Sequence, residues 1–208
     1  AVFAGLAGWS VGTVLARWGV APTGWLAVLG GLVVAGGLAT FAVTTLYLQA
    51  RRRRRLPDVT LTFWRIGMAS LLLAVVLWVV AVLRPGLAGA VAMPLGVAMV
   101  VGFAVSVING MLYKIVPFLV WLHLNNRLQM AGAWQGKVPN MKQVIPDRRA
   151  RPQLWLHAAA VAALLAATLL PGVLAYLAGL LLLASNLLLG ANLLSAVMLY
   201  RRMTREMG

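Results

Sequence analysis

The stretch that decides the fold is LTFWRIGMASLLLAVVLWVVAVL, residues 61–83, in which Arg65 is the only charged side chain. A helix needs about 20 mostly apolar residues to cross roughly 30 Å of hydrocarbon, and this run is long enough. Its apolar residues are continuous instead of alternating with polar ones, which favours a helix over a barrel strand. Because a helix satisfies its backbone groups internally, residues 61–83 are predicted to form a transmembrane helix.

Apolar runs of similar character lie on both sides of this stretch. Of the whole chain, 62% of residues are hydrophobic and 10% are charged, whereas a soluble domain carries about 25% charged residues. An ordinary soluble domain and a disordered chain are therefore excluded. We predict an all-α, polytopic transmembrane helical bundle of about six spans in three hairpins, a single integral membrane domain over residues 1–208. The other predicted spans lie near residues 1–18, 23–49, 87–112, 154–170 and 173–200.

The first predicted span begins at Ala1, inside an apolar run and without an initiator Met. This opening lacks the basic region of a signal peptide. Further spans upstream of residue 1 are therefore an open alternative.

The fourth apolar run, residues 87–124, is too long for one straight span by about 10 to 18 residues. Splitting it into two spans would move the basic loop 125–153 to the outer side, against the usual charge bias. We therefore expect one span followed by a helical extension to residue 124, bent near Pro117.

The orientation follows from the basic residues. Fourteen of the 18 Lys and Arg residues lie in loops 50–60 and 125–153 and in the tail after Tyr200. The positive-inside rule places these three segments in the cytoplasm. The net charge of +15 thus belongs to short blocks between apolar runs, and a nucleic-acid partner is not predicted.

This topology is testable because the chain has no cysteine. Single cysteines introduced at Gln135 and at Gly86 should be labelled from opposite sides of sealed vesicles by a membrane-impermeant thiol reagent. Labelling of both positions from the same side would contradict the six-span topology.

The five consecutive residues Arg51–Arg55 form the densest basic block. Cationic side chains beside a helix end attract anionic lipid headgroups by about 1 kcal/mol each, so we predict a lipid-headgroup site at Arg51, Arg52, Arg53, Arg54 and Arg55. The alternative interpretation is a topological stop signal, and the two are compatible.

Small residues recur at four-residue spacing on three predicted helices, which places each set on one helix face. This pattern is typical of close helix packing, and a substrate path lined by small side chains is the alternative. In particular, we expect the Gly8/Gly12 face to pack against Ala27/Gly31/Ala35 of the next span. The sets are Ala4/Gly8/Gly12/Ala16, Ala27/Gly31/Ala35/Ala39 and Ala98/Gly102/Ser106/Gly110.

Three amides, Asn109, Asn186 and Asn192, lie within the apolar runs. Intramembrane amides tie helices together, by about 0.6–2 kcal/mol each, so we assign all three to helix packing. An ion or substrate site is the alternative interpretation.

The residues that could carry chemistry are few. The sequence holds no phosphate-binding glycine loop, no paired carboxylates and no acidic residue inside a predicted span, so we predict no catalytic residue and no metal site. Only His123 and His157 could ligate a haem iron, and they are the candidate cofactor-binding residues. The alternative is that both imidazoles are interfacial and bond to backbone or water.

The segment GMLYKIVPFLVWLH, residues 110–123, resembles a segment of uncharacterised bacterial membrane proteins related to the haem–copper oxidase subunit I family. The resemblance covers this span and its extension. Members of the catalytic family bind haem and copper through about six histidines on several spans, whereas this chain has two. The resemblance therefore implies a non-catalytic relative in a bacterial inner (plasma) membrane.

Three functions are compatible with these features. The first is a structural or accessory subunit of an inner-membrane, respiratory complex, with other membrane subunits and membrane lipids as partners. The second is a small-solute permease or half of one, with Asn and Ser groups along the path. The third is a haem-binding redox protein that uses His123 and His157.

Overall fold

The computed structural model describes residues 2–18, 24–52, 58–131 and 139–207. Within these ranges the chain is almost wholly helical and contains no strand, which confirms the predicted all-α fold. A 3₁₀ turn, Pro85–Leu87, precedes α4, and a π-helical segment, Ala98–Val105, joins α4 to α5. The α-helices are α1 (Val2–Arg17), α2 (Gly24–Ala50), α3 (Val59–Leu83), α4 (Ala88–Val97), α5 (Ser106–Ala131), α6 (Met141–Val144), α7 (Asp147–Leu169) and α8 (Val173–Met207).

Five helical stretches in the described residues are long and apolar enough to cross a membrane: α2, α3, the continuous stretch Pro85–Leu128, α7 and α8. The protein is therefore an integral membrane protein with several apolar helices. Helix α1 is also apolar but has 16 residues, which extend over about 24 Å. That length is shorter than the roughly 30 Å of a bilayer core.

The fourth segment continues as one helical stretch, and Pro117 lies inside α5, which ends at Ala131. The π-helical segment Ala98–Val105 is the feature that the sequence pattern did not predict. Widened turns of this kind are rare and frequently mark functional sites. A continuous apolar sequence does not indicate where such a π-helical turn occurs, because its side chains are compatible with both α-helical and π-helical hydrogen bonding.

Two helices extend beyond their predicted apolar spans. Helix α7 begins at Asp147 and not near residue 154, and α8 continues through the basic tail to Met207. The segment after Tyr200 contains neither glycine nor proline before Met207, so nothing in it breaks a helix. Hydropathy marks the membrane-crossing part of a helix, whereas the helix itself extends into the polar region.

The chain divides into two compact units. The first, unit 1, comprises Ala1–Arg54 and Met68–Met99. Its helices α1 and α2 run antiparallel and meet through glycines. A side chain added at Gly12 would collide with the backbone nitrogen of Ala27, and a Cβ at Gly5 would lie 3.0 Å from the carbonyl oxygen of Gly30. The two backbones therefore approach closely along this face.

Gly31, which the sequence pattern assigned to the face that meets α1, contacts a different helix. A side chain at Gly31 would collide with the indole ring of Trp78 on α3, while the neighbouring Gly30 faces α1. Successive residues point about 100° apart around a helix of 3.6 residues per turn. The adjacent glycines Gly30 and Gly31 on α2 thus allow close contact with two different helices, α1 and α3.

Unit 2 comprises Arg55–Gly67 and Val100–Gly208. Helix α5 packs antiparallel to the beginning of α3: a Cβ at Gly110 would lie 3.0 Å from Cβ of Phe63, and one at Gly67 would lie 3.0 Å from Val107. Helices α7 and α8 are also antiparallel and complete this bundle. Two apolar clusters form its core: Val120, Leu124, Val144, Ile145 and Ala196; and Val59, Phe63, Ala150 and Leu154.

Candidate functional site

Polar side chains are buried inside unit 2, on the facing sides of α5, α7 and α8. Their spacings of three, four and seven residues keep the polar groups of each helix on one face. Each side chain is at most 9% exposed, and burial of a polar group is costly unless it is hydrogen-bonded. We call this set the polar core; its members are Ser106, Asn109, Gln153, His157, Ser185 and Asn192.

His157 joins α7 to α5. Its Nε2 lies 2.8 Å from Oγ of Ser106, and its ring centroid lies 5.6 Å from that of Phe63. A hydroxyl both donates and accepts, so this bond suits either tautomer of a neutral imidazole. The other ring nitrogen, Nδ1, is buried and has no hydrogen-bond partner among the described residues.

Gln153 and Ser185 join α7 to α8 by two hydrogen bonds. Nε2 of Gln153 donates to Oγ of Ser185 over 3.0 Å, and that hydroxyl donates to the backbone carbonyl of Gln153 over 3.4 Å. Oε1 of Gln153 is left buried without a partner in the described part of the chain.

Asn192 connects three helices. Its amide nitrogen donates to the hydroxyl of Tyr113 on α5 over 3.0 Å and to the carbonyl oxygen of Arg149 on α7 over 3.2 Å. The ring of Tyr113 in turn stacks on Phe63 of α3 with centroids 6.0 Å apart. The amide of Asn192 thus ties α5, α7 and α8 together, as the sequence interpretation expected of a buried asparagine.

Three atoms of the polar core have no partner among the described residues: Nδ2 of Asn109, Oε1 of Gln153 and Nδ1 of His157. An unsatisfied buried polar group costs about 1–3 kcal/mol, so such atoms are usually paired with protein or water. The three comprise one donor, one acceptor and one nitrogen that can do either. The polar core therefore retains hydrogen-bonding capacity that the described residues do not use.

The structure does not bring His123 and His157 together. Since His157 contacts Ser106, and Ser106 and His123 lie 17 positions apart on α5, the imidazoles are separated by about 25 Å along that helix. His123 is exposed, donates from Nδ1 to the carbonyl oxygen of Leu119 over 2.8 Å and meets the edge of the Tyr200 ring. One haem iron cannot bind both residues, because α7 packs beside the beginning of α5 and His123 lies towards its end.

No group of three or more His, Cys, Asp or Glu residues in the described ranges is arranged to hold a metal ion. Each histidine instead has its own hydrogen bond, to Ser106 or to the backbone.

The remaining predicted packing residues lie in different surroundings. Gly102, Gly110 and Asn109 are buried in unit 2. Asn186 is exposed, and its amide donates to the carbonyl oxygen of Leu182 on its own helix over 2.9 Å. Within the described ranges this amide thus bonds inside α8, because Asn186 lies one position beyond Ser185, which occupies the buried face.

Gln153 and Ser185 are the polar-core residues that the sequence interpretation missed. Gln153 follows Arg151 and Pro152, so it was assigned to the loop before the span. Ser185 did carry a signal: Ser185, Leu189, Asn192 and Ala196 recur at helical spacing and are all buried. This pattern marks the inner face of α8.

The predicted lipid-headgroup site is described in part. Arg51 and Arg52 are exposed, and the guanidinium of Arg51 lies 4.6 Å above the ring of Tyr47. Arg53, Arg54 and Arg55 lie outside the described residues. The headgroup site stays a prediction.

Comparison of the chain with models of known protein families, with curated proteins and with solved structures finds no match. The function of the polar core is therefore inferred from its residues and their hydrogen bonds.

Proposed function

We propose that this integral membrane protein is a permease that passes a small, uncharged polar solute through the polar core of unit 2. The observation that carries the proposal is the set of three buried polar atoms without partners, on Asn109, Gln153 and His157. A solute that hydrogen-bonds to them would remove the cost of leaving them unpaired.

The length of the polar core favours a gated permease over an open pore. On α5 its residues and their hydrogen-bond partners extend from Ser106 to Tyr113, and on α8 its residues extend from Ser185 to Asn192. Seven residues of helix cover about 10 Å, roughly a third of the hydrocarbon thickness. The remaining two thirds of a path would be apolar, so passage requires the flanking apolar side chains to move.

The composition of the polar core indicates an uncharged solute. Its members are serine, asparagine, glutamine and histidine, and it includes no Asp, Glu, Lys or Arg. A desolvated ion needs opposite charge or metal-like coordination, whereas a polyol or an amide needs only hydrogen bonds. Small polyols and urea are therefore the solute class that fits.

Osmotic swelling of proteoliposomes tests this proposal. The protein should speed the entry of glycerol or urea relative to protein-free liposomes, measured by stopped-flow light scattering. Asn109→Leu keeps the volume of the side chain and removes its amide, so it should slow entry by roughly tenfold, the effect of about 1.4 kcal/mol. The matched control is Asn186→Leu, which removes an exposed amide and should leave the rate unchanged.

Two results would contradict the permease. The first is that proteoliposomes swell no faster than protein-free liposomes with either glycerol or urea. The second is that the Asn109 and Asn186 substitutions slow solute entry equally, because only Asn109 belongs to the polar core.

The accessory-subunit and haem-binding hypotheses stay predictions. The small-residue stripe of α1 lies against α2 of the same chain at Gly12 and Ala27, so it does not argue for a partner. Copurification of other subunits after gentle extraction tests the first hypothesis, and a Soret band in the absorption spectrum tests the second.

A further inference from the structure

A cavity lies in unit 2 where α3 and α7 begin, beside α5 and α6. Its volume is about 420 Å³, within the range of about 300–1,000 Å³ that is typical of small-ligand sites. Two lysines and two aspartates line it, Asp58, Lys114, Lys142 and Asp147. We call it the charged cavity.

The charges in this cavity are unusual for the chain. Only three residues of the whole sequence are acidic, and two of them line this one cavity. Both carboxylates have counterparts of opposite sign in the same space, so the four groups together carry no net formal charge. A ligand that carries both signs matches such a lining better than a simple anion or cation.

One pair of these charges is already engaged. Oδ2 of Asp58 lies 3.8 Å from Nζ of Lys114, and Oδ1 of Asp58 accepts a hydrogen bond from the backbone nitrogen of Thr60 over 3.0 Å. This carboxylate caps the beginning of α3. Lys142 and Asp147 have no ion-pair partner among the described residues, although both line the cavity. One cation and one anion thus remain for a ligand.

Apolar side chains form another part of the lining. Ile115 and Phe118, both on α5, are each 43% exposed and line the cavity beside Lys114. They belong to the stretch Pro85–Leu128, which is apolar enough to cross a membrane. An apolar wall beside a charged lining suits an amphiphile, whose tail contacts the wall while its head meets the charges.

We propose that the charged cavity binds a zwitterionic group made of a primary ammonium and a phosphate, the headgroup chemistry of phosphatidylethanolamine. The phosphate lies at Lys142, and the ammonium donates hydrogen bonds to Asp147. A primary ammonium has three N–H donors, whereas the quaternary ammonium of choline has none. The cavity therefore separates ethanolamine from choline headgroups. This site is distinct from the polar core and does not depend on solute passage.

The same chemistry is carried by a membrane lipid and by free phosphoethanolamine. The apolar wall at Ile115 and Phe118 favours the lipid. The alternative hypothesis is that the excess of basic residues attracts any anionic lipid. That hypothesis predicts a preference for phosphatidylglycerol over phosphatidylethanolamine.

Native mass spectrometry of the full chain in mild detergent tests the proposal with phosphatidylethanolamine, phosphatidylcholine and phosphatidylglycerol of identical acyl chains. We expect phosphatidylethanolamine to bind at least about tenfold more tightly than phosphatidylcholine, since one charge-assisted hydrogen bond accounts for that factor. Asp147→Asn should abolish the preference, because it removes the carboxylate that accepts from the ammonium, and Lys142→Gln should weaken the binding of both lipids, because both carry the phosphate. Arg84→Gln, which removes an exposed cation outside the cavity, should leave both the preference and the lipid affinities unchanged.

Free phosphoethanolamine forms a second arm of the experiment. Binding of the free compound, lost in both cavity variants, supports the site and identifies a soluble ligand as a source. Binding of the lipid alone, with the same losses, supports the site and identifies the lipid as its source. Lys142 is exposed, so its replacement leaves the core intact, and circular dichroism melting checks the fold of each variant.

Three outcomes would overturn the proposal. They are equal affinity for ethanolamine and choline lipids, a preference for phosphatidylglycerol over phosphatidylethanolamine, and variants that behave like the parent, with an unchanged preference in Asp147→Asn or unchanged affinities in Lys142→Gln.

Discussion

Replacing Gly30 with leucine is expected to separate α1 from α2 and to lower the free energy of unfolding by about 3 kcal/mol, the upper part of the usual range for overpacking. A Cβ at this position would collide with the backbone nitrogen of Trp9 and would lie 2.6 Å from the carbonyl oxygen of Gly5 and 2.9 Å from the carbonyl carbon of Gly8. All three are backbone atoms, so no side-chain rotation can relieve the clash. The helices must move apart.

The matched control lies on the same helix. Nothing lies within 4 Å of a Cβ at Gly36, so Gly36→Leu should leave the protein as stable as the parent. It could gain several tenths of a kcal/mol, because glycine is a poor helix former. Thermal melting in detergent, followed by tryptophan fluorescence, measures both variants. Equal melting temperatures for the Gly30 and Gly36 variants would contradict the close approach of α1 and α2.

Replacing Phe63 with alanine is expected to destabilise unit 2 by about 3–5 kcal/mol, because it leaves a cavity in a packed bundle. Phe63 is fully buried, and its ring contacts those of Tyr113 and His157. Its loss removes packing from α3 against α5 and α7 and loosens the support of the polar core.

Phe41→Ala serves as the control, since Phe41 is 47% exposed. Unfolding in a titration with denaturing detergent should need much less detergent for the Phe63 variant than for the Phe41 variant. The near-ultraviolet circular dichroism of the Phe63 variant should also change, because Tyr113 loses its stacking partner. Equal sensitivity of the two variants would show that Phe63 is not a core residue.

The helices of this protein are predictable from local sequence. Helix α3 was predicted at residues 61–83 and extends over Val59–Leu83, and the run from residue 87 continues as helix far beyond one span. Apolar residues in continuous runs leave a chain no alternative to helix in lipid, because each backbone group must be satisfied within its own segment. Element type and span position are therefore properties of short windows of sequence.

The candidate site was predictable only in part. Asn109 and Asn192 stood out as amides in apolar runs, and both are buried in unit 2. Gln153 did not stand out, because basic residues next to it in the sequence are typical of a loop and not of a membrane-spanning helix. The sequence also did not indicate how far His123 lies from His157. The direction of the loops indicates which side of the membrane each residue approaches, whereas the positions of the two residues on antiparallel helices set the distance between them.

Tertiary structure alone decided which side of each helix faces which neighbour. Gly30 and Gly31 are adjacent and chemically identical, yet one meets the backbone of α1 and the other meets Trp78. Ser185 and Asn186 are likewise adjacent and polar, and only Ser185 is buried. Rotating a helix by about 100° exchanges such neighbours. That rotation is set by side-chain packing between segments far apart in sequence, which no local window contains.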